Sequence, residues 1–224
     1  MVMNDLKIII GAYGSGKSEY AINLAKSLNS DKNEICLVDL DVVNPYFRSR
    51  DVQDLFKKEG IEVIAPESGY GMADLPMISP RVQGAIDDPN KLVILDVGGD
   101  PVGCKVLRRF EDAIKKRRYQ MSFVVNTMRP FTSSVAEIIE MKRSLEGMSR
   151  LQVTEVVCNA NLLKLTDLSL IEEAIEMLLE VSEKENVGFS KYLVMSPDGD
   201  AKYPEEIEGV KRVLLDYYLK KPWE

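Results

Sequence analysis

The side chains with the clearest chemistry lie in residues 11–18, which read Gly-Ala-Tyr-Gly-Ser-Gly-Lys-Ser and directly follow an apolar run. Glycine lets successive backbone N–H groups turn inward around a phosphate, where a Cβ atom would block the approach. Lys17 is long enough to reach the β and γ phosphates of a nucleotide, and the Ser18 hydroxyl can ligate a Mg²⁺ that bridges them. The segment therefore predicts a phosphate-binding loop. The loop residues predicted to contact nucleotide are Gly11, Gly14, Ser15, Gly16, Lys17 and Ser18.

Two acidic residues, Asp39 and Asp41, close the second predicted strand, Glu34 to Leu40. Because side chains alternate along an extended strand, we expect both carboxylates on the same side. One can hold a magnesium-bound water and the other can orient an attacking water. Asp39 is therefore a candidate metal-site residue. Asp41 is a candidate catalytic residue together with Lys17, whose charge would stabilise the transferred phosphate.

A third strand end carries Asp96-Val97-Gly98-Gly99-Asp100, about 80 residues after the loop. An apolar strand that delivers an aspartate is the second half of a nucleotide–magnesium site, so Asp96 is a second metal-site candidate. Gly99 can offer its N–H to a γ-phosphate because no side chain blocks it. Such a segment would move when that phosphate is lost.

Two further strand ends carry polar residues that are candidates for contacts with a base. Asn159 follows the apolar run Val156 to Cys158, and the pair Pro197-Asp198 follows Leu193 to Met195. An asparagine amide both donates and accepts hydrogen bonds, as a purine edge requires. Each segment could equally be a turn.

The amino-acid composition excludes several kinds of catalytic and binding site. The 224 residues contain no histidine, which excludes Ser-His-Asp and Cys-His triads, imidazole metal sites and histidine general bases. A formal net charge of −7 argues against a nonspecific nucleic-acid or anionic-membrane surface. Three distant cysteines are expected to be core residues in a reducing cytosol. We expect no membrane segment and a cytoplasmic protein.

Short apolar runs alternate with amphipathic stretches, which predicts an α/β fold: a single domain, residues 1–224, with a mostly parallel central sheet and helices on both faces. The last element is predicted to be a helix from about Glu205 to Leu219. The basic run Lys115 to Arg118 is interpreted as the solvated end of a helix. Prolines and glycines interrupt residues 65–90, which form either a linker or a loop for a substrate or partner.

These motifs resemble the SIMIBI class of phosphate-loop nucleotidases, which groups signal-recognition GTPases, Min- and Par-type partitioning ATPases, and biotin- and cobalamin-synthesis enzymes. The resemblance to the Min/Par branch implies that Asp41 activates water in switch I and that Asp96 to Gly99 form switch II. Asn159 and Pro197-Asp198 resemble its base-contacting positions, which favour adenine. A guanine-specific Asn-Lys-x-Asp motif is absent, so the resemblance implies ATP rather than GTP.

One position departs from that branch. Ala12 stands where Min and Par proteins carry a signature lysine that reaches into the partner's site, so a homodimer is left open. The loop is more similar to those of nickel-enzyme maturation GTPases, whose Cys and His metal motifs this sequence lacks.

The sequence therefore predicts a Mg²⁺-dependent ATP-binding protein that hydrolyses ATP as a nucleotide-dependent switch, of maturation or partitioning type, with an unidentified protein partner or small-molecule substrate. Two alternatives stay open. One is an ATP-dependent ligase or kinase, of the dethiobiotin or cobyrinate synthase type, that docks its substrate on residues 65–90. The other is a noncatalytic nucleotide-binding adaptor.

Overall fold

The computed structural model describes residues 6–29, 34–41, 53–65, 78–195 and 202–219. The strands are β1 (Leu6–Gly11), β2 (Glu34–Leu40), β3 (Glu62–Ile64), β4 (Lys91–Val97), β5 (Tyr119–Val125), β6 (Glu155–Cys158), β7 (Gly188–Met195), β8 (Glu206–Ile207) and β9 (Val210–Leu215). They form one sheet in the order β3-β2-β4-β1-β5-β6-β7-β9-β8, and neighbours run parallel except for β8 and β9. The predicted α/β fold class is confirmed.

Helices cover both faces of this sheet. They are α1 (Lys17–Leu28), α2 (Gln53–Lys58), α3 (Arg81–Asp87), α4 (Pro101–Cys104), α5 (Glu111–Lys116), α6 (Val135–Ser149) and α7 (Leu168–Glu185). Alternation along the strands divides the buried side chains into two cores. On β1, Leu6, Ile8 and Ile10 pack with α3 to α7, whereas Ile9 packs on the opposite face with α1 and α2.

The predicted helix from Glu205 to Leu219 is wrong, because these residues form the hairpin of β8 and β9. Its two-residue turn is Glu208-Gly209, and both residues have positive φ, 48° and 80°. Such a turn matches the twist of paired strands, and the glycine adopts it without strain. The β-branched residues Val210 and Val213 then favour a strand over a helix.

The segment after β4 is also less regular than one helix. It consists of α4, a 3₁₀ segment Lys105–Phe110, and α5. Asp100 caps α4 by accepting a hydrogen bond from the N–H of Gly103. A Cβ atom on Gly103 would lie 3.1 Å from the Cα atom of Gly98, so this turn is packed tightly against the end of β4.

Arg117 departs from the interpretation of Lys115 to Arg118 as a solvated helix end. Its guanidinium donates hydrogen bonds to the carbonyl oxygens of Ile86, Asp88 and Lys91, at 2.9, 3.1 and 2.7 Å. It therefore ties the end of α5 to the turn between α3 and β4. Arg118 is exposed, as expected.

Helix α1 is held by a segment that lies almost 200 positions later in the chain. The side-chain amide of Asn23 donates to the Asp216 carbonyl at 3.0 Å and accepts from its N–H at 2.8 Å. The Glu19 carboxylate accepts from the N–H groups of Tyr218 and Leu219. Residues 216–219 therefore pack against one side of α1, the helix that begins at residue 17.

Candidate functional site

The loop of residues 11–18 joins β1 to α1, so its backbone N–H groups and the N-terminus of α1 face the same space. Gly14 and Gly16 have φ of 73° and 85°, a left-handed conformation that favours glycine. Gly11 is required for a different reason, because a Cβ atom there would lie 2.5 Å from the carbonyl oxygen of Val124. The N–H of Ser15 closes the loop by donating to the Ala12 carbonyl at 3.1 Å.

Lys17 lies between the loop and the segment after β4. Its side chain is buried, and its Nζ atom would be 2.8 Å from a Cβ atom on Gly99. The same Cβ position lies 3.0 Å from the Cα atom of Tyr13, so the backbone at Gly99 rests directly on the loop. Only a glycine permits this approach. The two segments predicted to hold a γ-phosphate are thus adjacent.

Three buried carboxylates, of Asp39, Asp41 and Asp96, lie together at the ends of β2 and β4, and the Asp96 carboxylate interacts with the Lys17 ammonium. Asp39 and Asp96 are paired in the strand register. Asp39 accepts a hydrogen bond from the N–H of Asp41 at 3.0 Å. Burial raises the pKa of Asp96 to about 7; the Lys17 ammonium and a hydrogen bond with Ser18 oppose this rise, whereas Asp39 and Asp41 add to it.

The oxygens around Ser18 fit a hard divalent cation such as Mg²⁺. The Oδ1 atom of Asp96 is buried and has no hydrogen-bond partner among the described residues, although the neighbouring Ser18 hydroxyl bonds to this carboxyl group. Within the described part of the chain, no group of three or more Asp, Glu or Cys side chains is arranged to hold a metal alone.

Asn159 touches the loop rather than an open pocket. Its Nδ2 atom donates to the carbonyl oxygen of Ser15 at 2.7 Å, and its Oδ1 atom is buried without a partner among the described residues. A side chain on Gly16 would collide with this amide. The end of β6 is thereby fastened to the phosphate-binding loop.

A residue outside the predicted motifs lies on the other side of the loop. Arg129 follows β5, and its Nε atom donates to the Gly14 carbonyl at 3.2 Å. The sequence carries a signal for it, because Arg129 comes shortly after a strand end, as the other candidates do. The predicted site residues include none from the end of β5, so this arginine was missed.

A cavity of about 330 Å³ opens beyond β6 and β7, beside Asn159. Most of its lining residues come from the loop after β6, from the end of β7 and from the segment that precedes β8, and they include Asn161, Thr166, Met195, Lys202 and Tyr203. This volume is at the lower end of the range of about 300–1,000 Å³ typical of ligand pockets.

Several predicted residues lie outside the described ranges. They include the base-contact candidates Pro197 and Asp198 and residues 66–77 of the proposed substrate loop. Their roles stay predictions. The three cysteines are free and buried, as expected. Among the described helices, none has the length and apolar character needed to cross a membrane.

No protein-family model and no curated protein matches the chain, but solved structures do. FtsY, a cell division protein of Thermotoga maritima, is 16% identical with a TM-score of 0.54, and the match covers 84% of this chain and 61% of that one. Chloroplast FtsY from Physcomitrella patens is 16% identical with a TM-score of 0.54, and the match covers 84% of this chain and 57% of that one. FtsY from Mycoplasma mycoides is 12% identical with a TM-score of 0.52, and the match covers 81% of this chain and 57% of that one. This chain spans about three fifths of their length. It shares the fold of these FtsY structures, as its resemblance to the SIMIBI class implied.

Proposed function

We propose that this protein binds a nucleoside triphosphate with Mg²⁺ in the loop of residues 11–18 and hydrolyses it, with ATP preferred over GTP. The observation that carries the proposal is that the ends of β2 and β4 meet beside the loop that follows β1 and contains Lys17. The backbone at Gly99 rests on the loop beside its ammonium, and the Asp96 carboxyl bonds to Ser18. A polyphosphate–metal complex needs a cation and backbone N–H groups for the phosphate oxygens, and an oxygen ligand for the metal.

Each side chain then has a distinct task. Lys17 would balance the charge of the β and γ phosphates, and Ser18 would supply an oxygen to Mg²⁺, with Asp39 and Asp96 bound to the ion through water. The ion would supply positive charge that offsets the charge of the phosphate oxygens. Asp41 is the candidate for orienting water, because its Oδ1 atom lies 3.3 Å from the Cβ position of Gly98, next to the predicted γ-phosphate contact. With no histidine in the chain, a carboxylate is a suitable base.

The residues that come after β6 favour adenine. A guanine-specific lysine and aspartate would stand at positions 160 and 162, which are Ala160 and Leu162. Ala160 and Asn161 line the 330 Å³ cavity, whose wall also contains Leu163, Leu193 and Tyr203. A pocket lined by both apolar and polar side chains suits the flat face and polar rim of a purine.

The closed contact between Gly99 and Tyr13 supports a switch. A γ-phosphate bound between Lys17 and the N–H of Gly99 would have to separate this segment from the loop, and α4 follows directly. Gly99→Ala tests this, because its Cβ atom would press on Tyr13 only in the closed arrangement. We expect a melting temperature several degrees below wild type without nucleotide. The difference should be smaller with a nonhydrolysable ATP analogue supplied at the same multiple of each protein's own Kd.

The control for that variant is Gly84→Ala, since a Cβ atom at Gly84 meets nothing within 4 Å. It should show no nucleotide-dependent difference. An equal loss of stability for Gly99→Ala in both nucleotide states would contradict the switch.

The binding proposal is tested by calorimetric titration with ATP and GTP, with and without Mg²⁺, and by phosphate release in the same samples. We expect magnesium-dependent ATP binding, slow phosphate release, and loss of binding in Lys17→Ala but not in the exposed Lys116→Ala. Tighter binding of GTP would overturn the base assignment. Tight binding without phosphate release would favour a ligase or an adaptor over an intrinsic ATPase.

A further inference from the structure

We propose that Arg129 is a second phosphate-binding cation, supplied by the loop after β5 and directed at the phosphate chain of the nucleotide. The inference rests on the proposed function and adds a residue that none of the predicted motifs contains. Arg129 lies against the middle of the phosphate-binding loop: its Nε and Cζ atoms are 3.1 and 3.2 Å from the position of a Cβ atom on Gly14.

The backbone around Arg129 is held in place. Its N–H donates to the Asn126 carbonyl at 3.1 Å, and its own carbonyl accepts from the N–H of Thr132 at 3.3 Å. The buried Thr132 hydroxyl donates to the Asn126 carbonyl at 2.8 Å, and the Asn126 amide donates to the Asn161 carbonyl at 3.0 Å. The arginine therefore starts from a turn that hydrogen bonds fix, so little ordering of the backbone is needed when it meets a ligand.

The guanidinium group of Arg129 has N–H donors that the loop does not use. The Nε atom uses one donor on the Gly14 carbonyl, at 3.2 Å. Among the described residues, none accepts a hydrogen bond from the other two nitrogens, and the side chain is exposed. Up to four N–H groups thus remain for oxygens beside the loop. A planar, permanently charged fork of this kind matches phosphate oxygens well.

Charge gives a reason for a second cation. A triphosphate would enter beside the carboxylates of Asp39, Asp41 and Asp96, and Lys17 is the only cation within the loop of residues 11–18. Lys17 faces Gly99, whereas Arg129 faces Gly14. The two positive groups therefore flank the loop on different sides, and together they can contact a chain of phosphates that a single ammonium cannot span.

The test compares Arg129→Ala, Arg129→Lys and Arg118→Ala. Arg118 is an exposed arginine just before β5, so it lies at the opposite end of this strand from Arg129. Its removal changes the net charge equally. Calorimetric titrations at NaCl concentrations from 25 to 400 mM would measure the Kd for MgADP, or for MgGDP if guanine is preferred. Melting temperatures confirm that each variant folds.

We expect Arg129→Ala to raise Kd at least tenfold at low salt and to make Kd less dependent on salt, because an exposed charge contact is screened. Arg129→Lys should keep the salt dependence of wild type, and Arg118→Ala should leave Kd within about twofold. Wild-type affinity in Arg129→Ala would overturn the role of Arg129 and leave the proposed function standing. The same would follow if Arg129→Ala lost affinity equally at every salt concentration and Arg129→Lys did not restore it. If wild type binds no nucleotide, the proposed function and this inference both fail.

Discussion

The side-chain amide of Asn159 donates a hydrogen bond to the carbonyl oxygen of Ser15, 2.7 Å away and 144 positions earlier in the chain. This bond connects the end of β6 to the phosphate-binding loop and holds the loop in shape before any ligand enters. A side chain that was predicted to read a base therefore has one of its donors occupied by the protein itself.

Asn159→Ala is expected to lower the free energy of unfolding by about 1–3 kcal/mol, since it leaves a buried carbonyl without its donor. The loosened loop should also raise the Kd for nucleotide by about tenfold. Chemical denaturation and calorimetry measure the two effects. Asn90→Ala, in an exposed turn, is the control and should change neither. Unchanged affinity in Asn159→Ala would mean that the loop holds its shape without this bond.

Glu19 predicts a pH dependence of stability. Burial raises the pKa of its carboxyl group from 4.5 to about 7, although the N–H groups of Tyr218 and Leu219 oppose the rise. Because the folded protein then binds the proton more tightly than the unfolded chain, this contribution is fully present below about pH 4.5 and is lost as the pH rises through about 7. It amounts to at most about 3 kcal/mol.

Urea denaturation at pH 5 and pH 8 measures this effect. Glu19→Gln should remove part of the loss of stability between the two values, relative to wild type. Glu172→Gln, on the exposed face of α7, should not. The same loss in wild type and Glu19→Gln would assign the pH dependence to other groups.

Adjacent arginines provide a second matched comparison. Arg117 donates to three backbone carbonyls, whereas Arg118 is exposed. Arg117→Ala should lower the free energy of unfolding by about 2–4 kcal/mol, because three carbonyl groups lose a charged donor. Arg118→Ala should stay within about 0.5 kcal/mol of wild type. Similar values for the two variants, measured by denaturant titration, would show that the three hydrogen bonds contribute little.

Two glycines with open surroundings should respond with opposite signs. A Cβ atom meets nothing within 4 Å at either Gly147, inside α6, or Gly209, in the β8–β9 turn. Gly147→Ala should stabilise the protein by about 0.5–1 kcal/mol, since helical backbone suits alanine. Gly209→Ala should destabilise it by about 1 kcal/mol or more, because φ is +80° there. Melting curves give both values, and a shared sign would contradict the assigned backbone conformations.

The sequence predicted the parts of this molecule that depend on local pattern. The phosphate-binding loop and β2 lie where the motif and the apolar run placed them. Ser134 caps α6 by accepting a hydrogen bond from the N–H of Glu137, three residues later, and the Glu137 carboxylate accepts one from the N–H of Ser133. These features involve neighbours within a few residues, so the pattern alone determines them.

What the sequence could not reveal depends on contacts between distant segments. The hairpin of β8 and β9 was predicted as a helix, because its apolar spacing fits either structure and the turn at Glu208-Gly209 was not recognised. The hydrogen bond between Arg129 and Gly14 joins positions 115 residues apart, so the place of Arg129 after a strand end could not reveal that Gly14 is its partner. Asn159 was predicted at the site, but its bond to Ser15 required the folded sheet.

The contacts between α1 and residues 216–219 bear on the order of events during synthesis. Glu19 leaves the ribosome 199 residues before Tyr218, its hydrogen-bond partner. At about 5–20 residues per second, that interval is roughly 10–40 s. Throughout it, the carboxylate and the Asn23 amide must be hydrated by water. We therefore expect the helix that supports the phosphate-binding loop to become fully packed only after almost the whole sheet has been translated, so that a ribosome-bound chain gains nucleotide affinity late.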